Sequence, residues 1–137
     1  MKRTLIGLCL LGTALLAAPV YADEKVDAAI VKLQHDWARA NYQIPDGQQE
    51  PVLKALSEEA HQVTAANPGA PEAMIWEAII LSTYAKAKGG LGALKLAEKS
   101  RDLLLAAEKI NPNALNGSIY TSLGSLYYKV PGWPIGF

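Results

Sequence analysis

Asn111–Phe137 reads NPNALNGSIYTSLGSLYYKVPGWPIGF, and within it the pattern Tyr120-x-x-Leu123-Gly124-x-x-Tyr127 decides the fold. Leu115, Ile119, Leu123 and Leu126 recur at three- and four-residue spacing, so they share one face of a helix. Tyr120 and Tyr127 fall near a second face. A glycine inside such a helix suggests that a neighbouring helix comes close at Gly124. Leu123 and the tyrosines would then fill the space between helices. The helix is expected over 114–130, where Pro131 forbids continuation.

Working back along the chain, four more helices are expected. The first covers 24–42, with Val26, Ile30, Leu33, Trp37 and Ala40 on its apolar face. Ile44-Pro45-Asp46-Gly47 breaks it. The second covers 51–66, opened by Pro51 and striped by Leu53, Leu56, Ala60 and Val63. Asn67-Pro68-Gly69 stops it. The third, 71–88, is apolar nearly all round, as expected of a helix sandwiched between others. Gly89-Gly90-Leu91-Gly92 then reads as a helix stop and turn. The fourth covers 93–110, with Leu96, Leu103, Leu104, Ala107 and Ile110 inward.

Asn67-Pro68 and Asn111-Pro112 stand 44 residues apart, as do Trp76 and Tyr120, Ile79 and Leu123, and Tyr84 and Tyr128. The chain thus repeats a helix pair closed by Asn-Pro. Ser100, Leu104, Ala107 and Pro112 mark the second helix of the unit, with Leu56, Ala60, Val63 and Pro68 as a looser copy. On these residues the chain from about Glu24 onward resembles the tetratricopeptide repeat (TPR) family, whose standard unit is about 34 residues. The extra residues are expected mostly around the glycine loop 89–92, extending a hairpin tip. The copy Trp76-x-x-Ile79-Ile80-x-x-Thr83 lacks the glycine and the second tyrosine. Gly89–Gly92, Leu123–Tyr128 and Val130–Pro134 look more narrowly like an exported bacterial TPR group. That group is similar to the T components of tripartite ATP-independent periplasmic (TRAP) transport systems.

The resemblance implies an all-α fold of antiparallel helix pairs stacked as a short right-handed solenoid. It also implies a concave surface lined by the first helix of each pair. With Trp76 and Tyr120 in the same slot, the family's offsets place Met74, Glu77, Leu81, Tyr84 and Ala85 on that surface. The last helix would add Ser118, Thr121, Ser125, Tyr128 and Lys129. Tyr84 and Tyr128 could equally pack against the next helix. Trp133, between glycine and proline, is a plug over a following repeat or an exposed contact, the plug being favoured. The last helix has no second helix after it, so the chain reads as the N-terminal part of a longer protein, or else as an open-ended cap.

The chain has 137 residues, half of them hydrophobic, with 13 basic and 13 acidic side chains. That balance gives no pull toward nucleic acid. Lys2 and Arg3, the apolar run 5–18 and Val20-Tyr21-Ala22 read as a secretory signal cleaved after Ala22. The run has 14 residues, short of the ~20 that a spanning helix needs. Subtracting Lys2 and Arg3 from the 13 basic residues leaves 11 against 13 acidic, a net of −2 for 23–137. Cys9, the sole cysteine, goes with the leader, so no disulfide is expected.

His35 and His61 are the only histidines and show no metal-ligand spacing, so neither metal nor cofactor is expected. Glu58-Glu59 and Asp23-Glu24 are sequence neighbours, which do not face each other on a helix. Ser118, Ser122 and Ser125 have no base in sequence context. The expectation is therefore a non-enzymatic periplasmic or secreted scaffold binding a protein, a peptide or a small apolar ligand, and the narrower resemblance implies a role accessory to transport. The alternatives are a self-assembling structural subunit and a hydrolase with an unrecognised site.

Overall fold

The computed structural model describes residues 18–132 and 135–137, with side chains from Glu24 onward. The leader reading, Cys9 included, falls on residues 1–22, of which 1–17 lie outside the described residues; so does Trp133. The fold is all-α: α1 (Ala18–Tyr42), α2 (Gln49–Ala66), α3 (Pro71–Lys88), α4 (Gly90–Ile110) and α5 (Ser118–Lys129). Short 3-10 turns, Asp46–Gln48 and Ala114–Gly117, precede α2 and α5. No strand occurs among the described residues.

The expected stripes of α1 and α2 face inward. Ile30, Leu33 and Ala40 are buried, and so are Leu53, Leu56 and Ala60. Gln49 is buried as well, and its side-chain amide donates to the Ile44 carbonyl at 2.9 Å, tying the turn to the start of α2. Pro51 stands in the first turn of α2, where its missing N–H has no intrahelical partner to lose. The two Asn-Pro stops work differently. Asn67 donates its side-chain amide back to the Val63 carbonyl at 2.8 Å. The Asn111 side chain instead accepts from the backbone N–H of Asn113 at 3.0 Å, starting a new turn.

α3 is the centre of the molecule. It packs along α2 and α4 and also touches α1 and α5. Three apolar clusters make the core, and α3 contributes to each. Ile75 and Ala78 join Leu104, Ala107, Ile119 and Leu123. Ile80 joins Leu33, Leu56 and Ala60. Tyr84 joins Ala40 and Leu53. A helix apolar on every side has found neighbours on every side.

Gly89 alone joins α3 to α4, with φ 64° and ψ −177°, a conformation open essentially to glycine only. The expected glycine turn is thus shorter than read: Gly90, Leu91 and Gly92 form the first turn of α4. The hairpin tip is extended by helix rather than by loop. The inward face of α4 also differs from the expected one. Leu104 and Ala107 are buried, but Ile110 is exposed, and Ala97 and Ser100 take the remaining core positions. Ser100 can do so because its hydroxyl lies 2.8 Å from the Ala78 carbonyl, and 2.8 Å from the Ser82 hydroxyl. A small, hydrogen-bonded side chain there lets α3 and α4 approach.

α5 starts four residues later than expected. Leu115, Asn116 and Gly117 have φ of 48°, 54° and 85°, so the chain turns left-handed before the helix begins. For Leu115 this is an unfavourable conformation, held by packing against the α3–α4–α5 cluster. Ile119, Leu123 and Leu126 are buried as read, while Tyr120 and Tyr127 are half exposed. The Glu108 carboxylate hydrogen-bonds the Tyr120 phenol and holds its pKa above the ordinary tyrosine value. Phe137 meets Tyr127 edge-on at 5.6 Å, with the Arg101 guanidinium 4.4 Å over the Phe137 ring.

No helix among the described residues makes the close approach expected at Gly124. The glycine is exposed, and a Cβ built there meets nothing within 4 Å. No helix among the described residues covers that face. Gly124→Ala should therefore raise stability by about 0.5–1 kcal/mol through helix propensity and a less flexible unfolded chain. Urea melts of the two proteins check it, and a loss of stability would restore the close-packed reading.

Candidate functional site

Late residues of α1, α3 and α5 gather with the first turns of α4 around a groove of about 740 Å³. The one-residue join at Gly89 makes α3 and α4 run antiparallel. Early α4 likewise meets late α5, so α3 and α5 point the same way. α1 contributes Trp37 and Asn41. α3 contributes Ile79, Ser82, Thr83 and Lys86, and α5 contributes Ser122, Ser125, Leu126 and Lys129. Leu91, Leu94 and Ala97 of α4 form the wall between them, and Val130, Pro131 and Ile135 close the end.

Trp37 is held firmly. Its indole N–H donates to Thr83 Oγ1 at 2.8 Å, and its ring meets Trp76 and Tyr42 edge-on, each at 5.8 Å. Thr83 Oγ1 in turn donates to the Ile79 carbonyl at 3.0 Å. No aspartate or glutamate lines the groove. Lys86 and Lys129 line it and form no ion pair among the described residues. Lys88, on the same turn of α3, differs: Glu50 binds it at 3.2 Å and raises its pKa above the ordinary lysine value.

Of the residues the offsets placed on a concave surface, Ala85, Ser125 and Lys129 line this groove. Glu77, Leu81 and Tyr84 are buried. Met74 packs beside the α3–α4–α5 cluster. Ser118 donates to the Leu115 carbonyl at 2.7 Å at the start of α5. Thr121 and Tyr128 are exposed outside the groove, Tyr128 at 88%. Tyr84 and Tyr128, paired by the repeat, thus part company: one is core, the other faces solvent.

The cause is a rotation. Ile79, Ser82, Thr83 and Lys86 match Ser122, Ser125, Leu126 and Lys129 at an offset of 43, whereas the Asn-Pro and aromatic landmarks match at 44. One residue turns a helix by about 100°, enough to exchange a groove position for a core one. Ser82, Thr83, Lys86 and Ser122 were missed as groove residues, as was Trp37 of α1, which has no counterpart in the repeat. The recurrence of the same quartet spacing, each ending in lysine, was the available signal.

The groove combines apolar walls with serine and threonine hydroxyls and two lysines. Neither histidine lines it. No group of three or more His, Cys, Asp or Glu side chains gathers among the described residues. No helix among them is long and apolar enough to cross a membrane. Compared with family models, with curated proteins and with solved structures, the chain finds no match in any of the three.

Proposed function

We propose that this chain is a non-enzymatic binding scaffold of the TPR type: a short right-handed stack of antiparallel helix pairs, exported to the periplasm behind a cleaved leader. Its first helices, α1, α3 and α5, line the surface that holds the ligand. The observation that carries the reading is the groove. Three helices and the start of a fourth bring apolar walls and a few hydroxyls to one concave space, of the size and composition usual for small-molecule sites. The order of helix contacts supports the stack, since α3 meets the helices on both sides of it and the next one beyond on each side. The likeness of the 89–92, 123–128 and 130–134 segments to an exported bacterial TPR group, itself similar to TRAP T components, supports a role accessory to transport.

The neutral apolar probe N-phenyl-1-naphthylamine should bind in the groove beside Trp37, with a rise in its own fluorescence. Ser125→Trp, at an exposed groove position, should fill the space and weaken probe binding at least tenfold. Equal binding by both proteins would place the ligand elsewhere and sink the reading.

A further inference from the structure

We propose that the groove takes a single-chain aliphatic acid, with the carboxylate held between Lys86 and Lys129 and the alkyl chain along Ile79, Leu94 and Leu126. The inference rests on the groove reading and specifies its ligand.

The charge pattern carries it. Two lysines reach the groove from the same late position on two helices that run the same way, and no acidic side chain lines the groove. Five other basic side chains are matched locally: Lys32 by Asp36 and Glu59, Arg39 by Asp36, Lys88 by Glu50, Lys99 by Glu77, Arg101 by Asp102. Last-turn lysines can serve a helix dipole alone. That role does not require both to line one groove, nor the groove to lack acids. Two cations beside apolar walls complement a ligand of one anionic end and one apolar body. The lysine stems are long and flexible, so the two ammonium groups can close on one carboxylate.

The apolar part is also matched. The residues from Ile79 to Lys86 and from Ser122 to Lys129 run about 10 Å along their helices, with Trp37, Leu94 and Leu126 beside the path. Ser82 is already engaged with Ser100 and the Ala78 carbonyl. It therefore presents a satisfied hydroxyl to the ligand and does not demand a polar partner. The first turn of α4 opens on the same end, with no acidic residue and no side-chain cap. Its backbone N–H groups add to the positive potential there. An acidic peptide would share the charge but leave the apolar walls wet.

The test is displacement of N-phenyl-1-naphthylamine, followed by its own fluorescence. Decanoate should displace the probe at concentrations at least tenfold lower than decanol does, and added salt should shrink the gap. Lys86→Gln with Lys129→Gln should abolish the gap, decanoate then needing the same concentration as decanol. Both lysines are exposed, so the double variant keeps the core intact. Equal displacement by acid and alcohol, or a gap that survives the double variant, overturns the proposal while the groove reading stands. Displacement by oligoglutamate as effective as by decanoate overturns the aliphatic ligand. Failure of the neutral probe to bind overturns the groove reading and the proposal together.

Discussion

Ile80→Ala should cost about 2–5 kcal/mol of stability, the range for removing a large buried aliphatic side chain. Ile80 is 0% exposed and packs with Leu33, Leu56 and Ala60, beside Trp37 and Val63. These residues belong to α1, α2 and α3. The cavity would open where three helices meet, and no one of them can move in to fill it without leaving another contact. Domains are stable by about 5–15 kcal/mol in total, so the variant should sit near the edge of folding. Leu91→Ala is the control: that side chain is 87% exposed, and the change should stay within about 0.5 kcal/mol. Urea midpoints at unchanged m-value decide it. An Ile80→Ala midpoint equal to that of Leu91→Ala would refute the central place given to α3.

The second large effect concerns Glu77, whose side chain is 0% exposed in the middle of α3. One carboxylate oxygen lies 3.0 Å from His61 Nδ1 and accepts from Lys99 Nζ at 2.9 Å. The other oxygen has no protein partner. Burying a carboxylate costs several kcal/mol unless it is paired, and this one is paired at one oxygen only. Removing both partners, as His61→Ala with Lys99→Ala, should therefore lose about 3–5 kcal/mol. Adding Glu77→Met to that double variant should recover most of the loss, because no buried charge remains. Glu77→Met alone should be at least as stable as the parent. Denaturant melts of the four proteins form a cycle. If Glu77→Met is itself strongly destabilising, the carboxylate contributes to the fold and is not a tolerated cost.

The parts of the fold legible in the sequence are those governed by local signals. Pro71 and Asn67-Pro68 set the bounds of α3 and the end of α2 to the residue. The stripes of α1 and α2 were readable because each helix is apolar on one side only. The misreadings share a cause as well. α3 is apolar on nearly every side, so periodicity says it is buried but not which residue faces which neighbour. Glu77, Leu81 and Tyr84 were assigned to the groove by a register one residue off. Ser100 looks polar in a string of letters and becomes core because the Ala78 carbonyl stands opposite. Gly124 resembles a close-packing glycine, yet its use depends on an element over that face. The left-handed step at Leu115–Gly117 depends on packing around Leu115, which no short window contains.

The single residue between α3 and α4 also bears on the order in which the chain assembles. Bringing two segments together costs loop-closure entropy that grows with the length of chain between them. Gly89 leaves almost no loop to close, whereas α4 and α5 are separated by the seven residues 111–117. The central hairpin is the pair of helices with the smallest entropic barrier to meeting, and it already holds residues of all three core clusters. Each remaining helix packs most on its nearest neighbour in sequence, α1 on α2 and α5 on α4. Contacts of that kind give a low contact order, the topology associated with fast folding.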